Sequence, residues 1–151
     1  KMTEYILNSN SNAEVNIFSN GSIRSKEWWY DLGKIGKQVC TWFALEGITQ
    51  EMHSKYRRRT SLKKLLENMR SFADGGGMAK SFTVIHRHNE DYLQQIEKLA
   101  LEYGAEGFAW VKSTRFDPGE DTFSFYDEYG TMEKLHRATD NFRKPSLGDI
   151  V

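Results

Sequence analysis

Gly75-Gly76-Gly77 is the one run of three glycines in the chain, and the residue pattern changes across it. A helix does not propagate through three residues that lack a Cβ and lose the most backbone entropy on ordering. The chain must therefore turn here. Upstream, Leu62, Leu65, Leu66, Met69 and Phe72 recur at helical spacing behind Thr60 and Ser61, either of which can cap a first turn. Downstream, Met78–Ile85 alternates loosely and carries Phe82, Val84 and Ile85, the pattern of a strand. The glycines are the expected seam between an N-terminal part, 1–74, and a second unit, 75–151.

The N-terminal part reads as one strand plus a mainly helical extension. Residues 8–22 are rich in Asn, Ser and Gly, but Glu14-Val15-Asn16-Ile17-Phe18 alternates and predicts a short edge strand. Over 22–52, Leu32, Ile35, Val39, Trp42 and Phe43 fall on one helical stripe, weakened by Gly33, Gly36 and Gly47. Beyond the seam, Asn89 precedes a clean amphipathic pattern, Tyr92, Leu93, Ile96, Leu99, Ala100 and Tyr103, which stops at Gly104. Gly107–Val111 is nearly all apolar, as in a strand buried on both faces. Asp117-Pro118-Gly119 turns the chain into a further strand at Thr122–Phe125. Met132, Leu135 and Phe142 mark an expected second helix, and Gly148–Val151 begins a last strand. The resulting order, β-α-β-β-α-β, is a split βαβ, ferredoxin-like α+β unit.

Composition removes several classes. Twenty-one Lys and Arg balance 21 Asp and Glu, so the chain is not a uniformly basic nucleic-acid binder. With 38% apolar and 13% aromatic residues it can bury a core, which excludes global disorder. The apolar stretches Thr41–Leu45 and Phe108–Val111 are far below the roughly 20 residues that span a bilayer. The opening Lys1-Met2-Thr3-Glu4 lacks a basic region followed by an apolar run, and Met2 reads as a natural start behind one leading residue. A single Cys40 permits no internal disulfide. These features together predict a cytoplasmic protein with no membrane partner.

The phrase Leu101-Glu-Tyr-Gly-Ala-Glu-Gly-Phe-Ala-Trp-Val-Lys112 resembles the hallmark of the GAD domain family. That module is inserted in the catalytic region of bacterial-type aspartyl-tRNA synthetases, and a relative occurs in the B subunit of the tRNA-dependent amidotransferase. Tyr103, Gly104, Ala105, Gly107, Ala109, Trp110 and Lys112 stand in register with it. Gly75–Lys80 is similar to its entry strand, and Lys144–Val151 to its closing phrase. The resemblance spans about residues 71–151. It implies a GAD-like unit with no catalytic residues and no cofactor, serving as a structural or tRNA-proximal module. The class II catalytic signatures are absent. A stand-alone binding or inhibitor protein of the immunity or phage counter-defence type, acting through protein–protein contacts, is the alternative.

Charge is segregated along the chain. Residues 51–70 hold seven Lys and Arg against Glu51 and Glu67, a net +5, while residues 117–133 hold six acids and no Lys or Arg. Lys55, Arg57, Arg58, Arg59, Lys63 and Lys64 form a basic helix able to grip phosphates, with Trp28 and Trp29 as stacking surfaces for a tRNA or other anionic partner. The competing reading is an ordinary solvated face. The acids read as solvated turns and helix starts, since no calcium-loop spacing is present. His86 and His88 share one face of a strand, a two-ligand geometry that finds no third ligand by spacing, so no metal is assigned. An enzyme would need a cleft joining His86 or His88 to the acidic segment. Cys40 sits on the apolar stripe and reads as a buried, inert thiol.

Overall fold

The structure, a computed structural model, describes residues 2–139 apart from 11 and 128. Its elements in chain order are α1 (Met2–Ser9), β1 (Val15–Ser19), α2 (Lys26–Gly33), β2 (Val39–Ala44), α3 (Gln50–Ser54), α4 (Leu62–Asp74), β3 (Met78–Ile85), α5 (Leu93–Glu102), β4 (Phe108–Lys112), β5 (Thr122–Tyr126) and β6 (Met132–His136). Strands β1-β2-β3-β4 form one parallel sheet in sequential order, and β5 and β6 form a separate antiparallel pair. The chain is thus a mixed α and β protein. None of its described helices is long and apolar enough to cross a membrane.

A sequential parallel order has a consequence for layering. Every right-handed crossover places its helix on the same face of the sheet. Val15 and Ile17 of β1, Val39 and Phe43 of β2, Ala79 of β3 and Phe108 and Trp110 of β4 all turn to that face, where they share one core with α1, α2, α4 and α5. Its centre is aromatic: Trp29 lies 5.1 Å from Phe43 and 6.1 Å from Phe72, centroid to centroid. Phe43 and Phe72 are fully buried, each contributing about 2–3 kcal/mol of apolar burial. The alternate residues of the strands face away from the helices. On that side Phe18 is 68% exposed and Val111 45% exposed.

Helix α4 forms as its periodicity predicts, with Ser61 Oγ accepting from the Lys64 amide as N-cap. The glycine run that follows serves close approach as well as turning. A Cβ on Gly75 would stand 2.3 Å from the Tyr30 carbonyl oxygen, and one on Gly33 would stand 2.2 Å from that of Phe72. The ends of α2 and α4 therefore touch through backbone.

Several expectations are corrected. The seam at 74/75 lies inside one sheet, because β2 pairs directly with β3 and the core draws on both sides. The helical extension over 22–52 is α2, then β2, then α3. Gly36 at φ +93° ends any helix, and Val39, Thr41, Trp42 and Phe43 are residues that suit a pleated surface. The split βαβ requires a strand between β3 and β4, but these two are direct parallel neighbours from Ser81↔Phe108 to Ile85↔Lys112. β4 is accordingly an edge strand, half-exposed rather than buried on both faces. Met132–His136 is strand β6, not the start of a helix, because Asp127 and Gly130 close a hairpin turn before it. Phe142 and the expected strand at 148–151 lie outside the described residues.

Candidate functional site

Open parallel sheets bind ligands beyond the carboxyl ends of their strands, where the connecting loops converge. Here the segments following β2 and β3 meet at Glu46, a residue with no exposed surface two positions past the end of β2. Its Oε2 accepts from the Val84 amide at 2.8 Å, and Oε1 pairs with Arg57 at 3.0 Å. The carboxylate thus continues the β2–β3 ladder past the last strand residue. Burial pushes its pKa up to about 7, against the opposing pull of Arg57.

His53, also fully buried, locks onto the same loop. Its Nδ1 accepts from the Glu46 amide at 3.2 Å, so the proton of the neutral ring sits on Nε2, 2.9 Å from Thr60 Oγ1. That hydroxyl in turn donates to the Arg57 carbonyl. Asn89 completes the frame by donating to the Glu46 and Val84 carbonyls while accepting from the His86 amide. His86 lies under Tyr56 at 4.6 Å and stacks on His88 at 5.6 Å between centroids. His86 Nδ1 is 3.2 Å from the Val84 carbonyl, so the neutral ring donates there. The buried Nε2 atoms of both His86 and His88 have no hydrogen-bond partner among the described residues. Burial lowers the pKa values of His53, His86 and His88 to about 4.

Beside this network lies a cavity of about 960 Å³. One wall is the α3–α4 turn with Lys55, Arg58 and Arg59; the floor includes Arg87 and His88. The opposite wall is the hairpin, with Phe125, Tyr126, Asp127, Tyr129 and Glu133. Arg58 clamps the hairpin: its guanidinium donates to the Tyr126 carbonyl at 3.1 Å and lies 4.2 Å from the Phe125 ring centre. Backbone pairing of Arg87 with His136 holds the far end. The cavity therefore joins His88 to the acidic segment, the condition that the sequence set for an enzyme cleft.

The predicted basic cluster is divided by this arrangement. Lys55, Arg58 and Arg59 line the cavity, whereas Arg57 turns inward to Glu46 and lies 5.5 Å from the Phe82 ring. They occupy a turn rather than a helix, since Arg59 adopts φ +58° and Ser61 caps a new helix. Lys63 and Lys64 are exposed on the first turn of α4, outside the cavity. Trp29 is buried in the core against Phe43 and Phe72 and offers no stacking face; Trp28 packs edge-on to Trp29, with Arg24 over its ring. No group of three or more His, Cys, Asp or Glu among the described residues is placed to hold a metal. Cys40 is buried, and burial raises its thiol pKa.

Glu46 escaped the sequence reading, and Asn89 was read there only as the start of the α5 pattern. The available signal was an acid directly after the apolar run Val39–Leu45, a position where a strand ends and a charge must find a partner.

No protein-family model matches the chain, and no curated protein matches it. Among solved structures it is similar to native anSMEcpe with bound AdoMet and a Kp18Cys peptide, at a TM-score of 0.60 and 12% identity. The match covers 79% of this chain and 34% of that one, so the likeness is one of fold, over about a third of the other protein's length.

Proposed function

We propose that this chain forms part of the wall of a β/α-barrel protein and that its helix-free sheet face receives a ring-bearing ligand of the AdoMet type. The observation that carries this reading is the character of that face. Phe18 stacks on Trp42 at 6.0 Å with 5° between planes and meets Phe82 edge-on, while Lys80 lies 5.0 Å from the Trp42 ring centre. A parallel sheet with helices on one face buries its other face when further strands close a barrel, and barrels hold ligands at the carboxyl ends of their strands. The structural neighbour binds AdoMet and a peptide, and its fold likeness supports the choice of ligand.

The reading as a GAD-like, tRNA-proximal module rests on the phrase 101–112, whose helix exit at Gly104 and following strand are local features. Direct pairing of β3 with β4 departs from the strand order that such a module has, so the barrel-wall reading is preferred. Calorimetric titration with AdoMet tests it. Saturable binding is expected, weakened about tenfold by Trp42→Ala, the usual scale of losing one stacked ring. Absence of binding below about 1 mM, or binding indifferent to Trp42→Ala, refutes it.

A further inference from the structure

The cavity between the α3–α4 turn and the hairpin is lined by none of Phe18, Trp42, Lys80 and Phe82, and it has its own chemistry. We propose that it is a second site, for a small phosphorylated compound with a planar ring, of the nucleotide class. This assignment does not rest on the barrel-wall reading.

Lys55 on the turn and Arg87 on the floor are the cations assigned to the anion, beside Arg58, Arg59 and Lys134 in the same lining. Arg87 is 60% exposed and its Nε pairs with Glu90 at 3.3 Å, which orients the guanidinium and leaves its remaining N–H groups as donors. Guanidinium and ammonium together suit a compact dianion. Tyr126 and Tyr129 line the same cavity at 65% and 85% exposure, flat surfaces on which a ring can stack. His88 lines it too, and its buried Nε2 has no partner among the described residues, an acceptor suited to a ligand N–H or O–H. The nearby charge of Lys55 helps to keep that ring neutral and accepting. A volume of about 960 Å³ is far larger than an inorganic anion needs and suits a ring-bearing molecule.

The surroundings also choose between a discrete anion and a nucleic acid. Asp127 and Glu133 on the hairpin and Glu51 on α3 also line the cavity, so its cations are interspersed with acids. A continuous phosphate backbone running through would meet all of those carboxylates, whereas a single phosphate held by Lys55 and Arg87 meets fewer of them. Of the cations predicted as a tRNA contact, Lys55 is thereby reassigned to a small ligand, with Arg87 as its partner.

The test is calorimetric titration of the full chain with AMP, adenosine, inorganic phosphate and tRNA. AMP is expected to saturate one site, with adenosine and phosphate each weaker by about tenfold or more, because ring and phosphate contacts both count. Lys55→Gln with Arg87→Gln is expected to lower AMP affinity at least about tenfold, and His88→Phe to lower it severalfold. Lys63→Gln, a surface cation outside the cavity, leaves it unchanged. Near-UV circular dichroism confirms that each variant is folded. AMP binding no tighter than adenosine, or equal in the Lys55/Arg87 double variant, overturns the proposal. So does tRNA binding with a steep salt dependence that AMP does not compete away. Trp42→Ala keeps the two sites apart: AMP binding unchanged in that variant is expected of the cavity, and AMP binding lost with Trp42 but retained in the Lys55/Arg87 double variant overturns the assignment.

Discussion

Acidification tests the buried network most directly. His53, His86 and His88 move from an ordinary pKa of 6.5 down to about 4 on folding, so the unfolded chain takes up protons on all three before the native state does. Their contribution is complete above pH 6.5 and is lost as pH falls toward 4. Glu46 acts oppositely. Its pKa rises from 4.5 to about 7, so the native state holds a proton that the unfolded chain has released, and stability falls as pH rises through that window. Between pH 4.5 and 6.5, three histidines work against one glutamate, leaving about two extra protons on the unfolded chain. Solvent screening at the half-buried His88 reduces this to between about one and two, a slope of roughly 1.5–3 kcal/mol per pH unit. The geometry at His53 supplies the cause: protonating Nδ1 would set an N–H against the Glu46 amide that now donates to it. Urea unfolding at intervals from pH 4.5 to 7.5, followed by far-UV circular dichroism, measures the slope. The free energy should fall steeply on acidification, and His53→Gln should remove about one proton from the slope. A slope below about 0.5 kcal/mol per pH unit in the wild type would refute the argument, since at least one of the three rings would then be free to ionise in the native state.

Two further perturbations probe the frame. Gly75→Ala forces a methyl to within 2.3 Å of the Tyr30 carbonyl oxygen and should destabilise by at least about 2 kcal/mol in urea unfolding, outweighing the entropy that the new Cβ removes from the unfolded chain. Arg58→Ala removes the donor to Tyr126 and the contact with Phe125. Amides of β5 and β6 should then exchange with deuterium about tenfold faster while those of β2 and β3 are unchanged, an effect of about 1–2 kcal/mol confined to the hairpin.

How far the sequence could be read follows from which forces act locally. Helix α4, strands β1, β3 and β5 and helix α5 are legible because their apolar spacing and their flanking Ser and Gly residues act within a few positions. β2 was hidden by coincidence: Val39, Trp42 and Phe43 fit a helical stripe, while the alternation Val39–Thr41–Phe43 that sets the core face is masked by Trp42 on the other. Pairing order was not legible, since β3 and β4 become neighbours through contacts 27 residues apart along the chain, as Ser81↔Phe108 shows. The residue types of the site were partly visible: the Arg run and His86-Arg87-His88 stood out. Their division was not, because it depends on Glu46 drawing Arg57 inward, and nothing in the spacing of Arg57, Arg58 and Arg59 distinguishes one arginine from the next.

The charge balance gains its meaning from this division. The basic segment 51–70 and the acidic segment 117–133 are distant in the chain but face each other across one cavity, with Arg58 bridging to the hairpin between them. Opposed charges at that separation attract by only about 1 kcal/mol per pair where solvent enters. Such pairs cannot by themselves hold the hairpin, which instead depends on the Arg58 hydrogen bond and the backbone pairing beside His86. Lys55, Arg59, Arg87 and Lys134 line the cavity beside Arg58, against Glu51, Asp127 and Glu133, which leaves it net positive inside a neutral molecule. A ligand carrying one compact negative group can satisfy that pole, whereas a long polyanion would also meet Glu51, Asp127 and Glu133. The neutrality belongs to the composition of the chain, and the fold makes a local pole of it by bringing the two segments to one cavity.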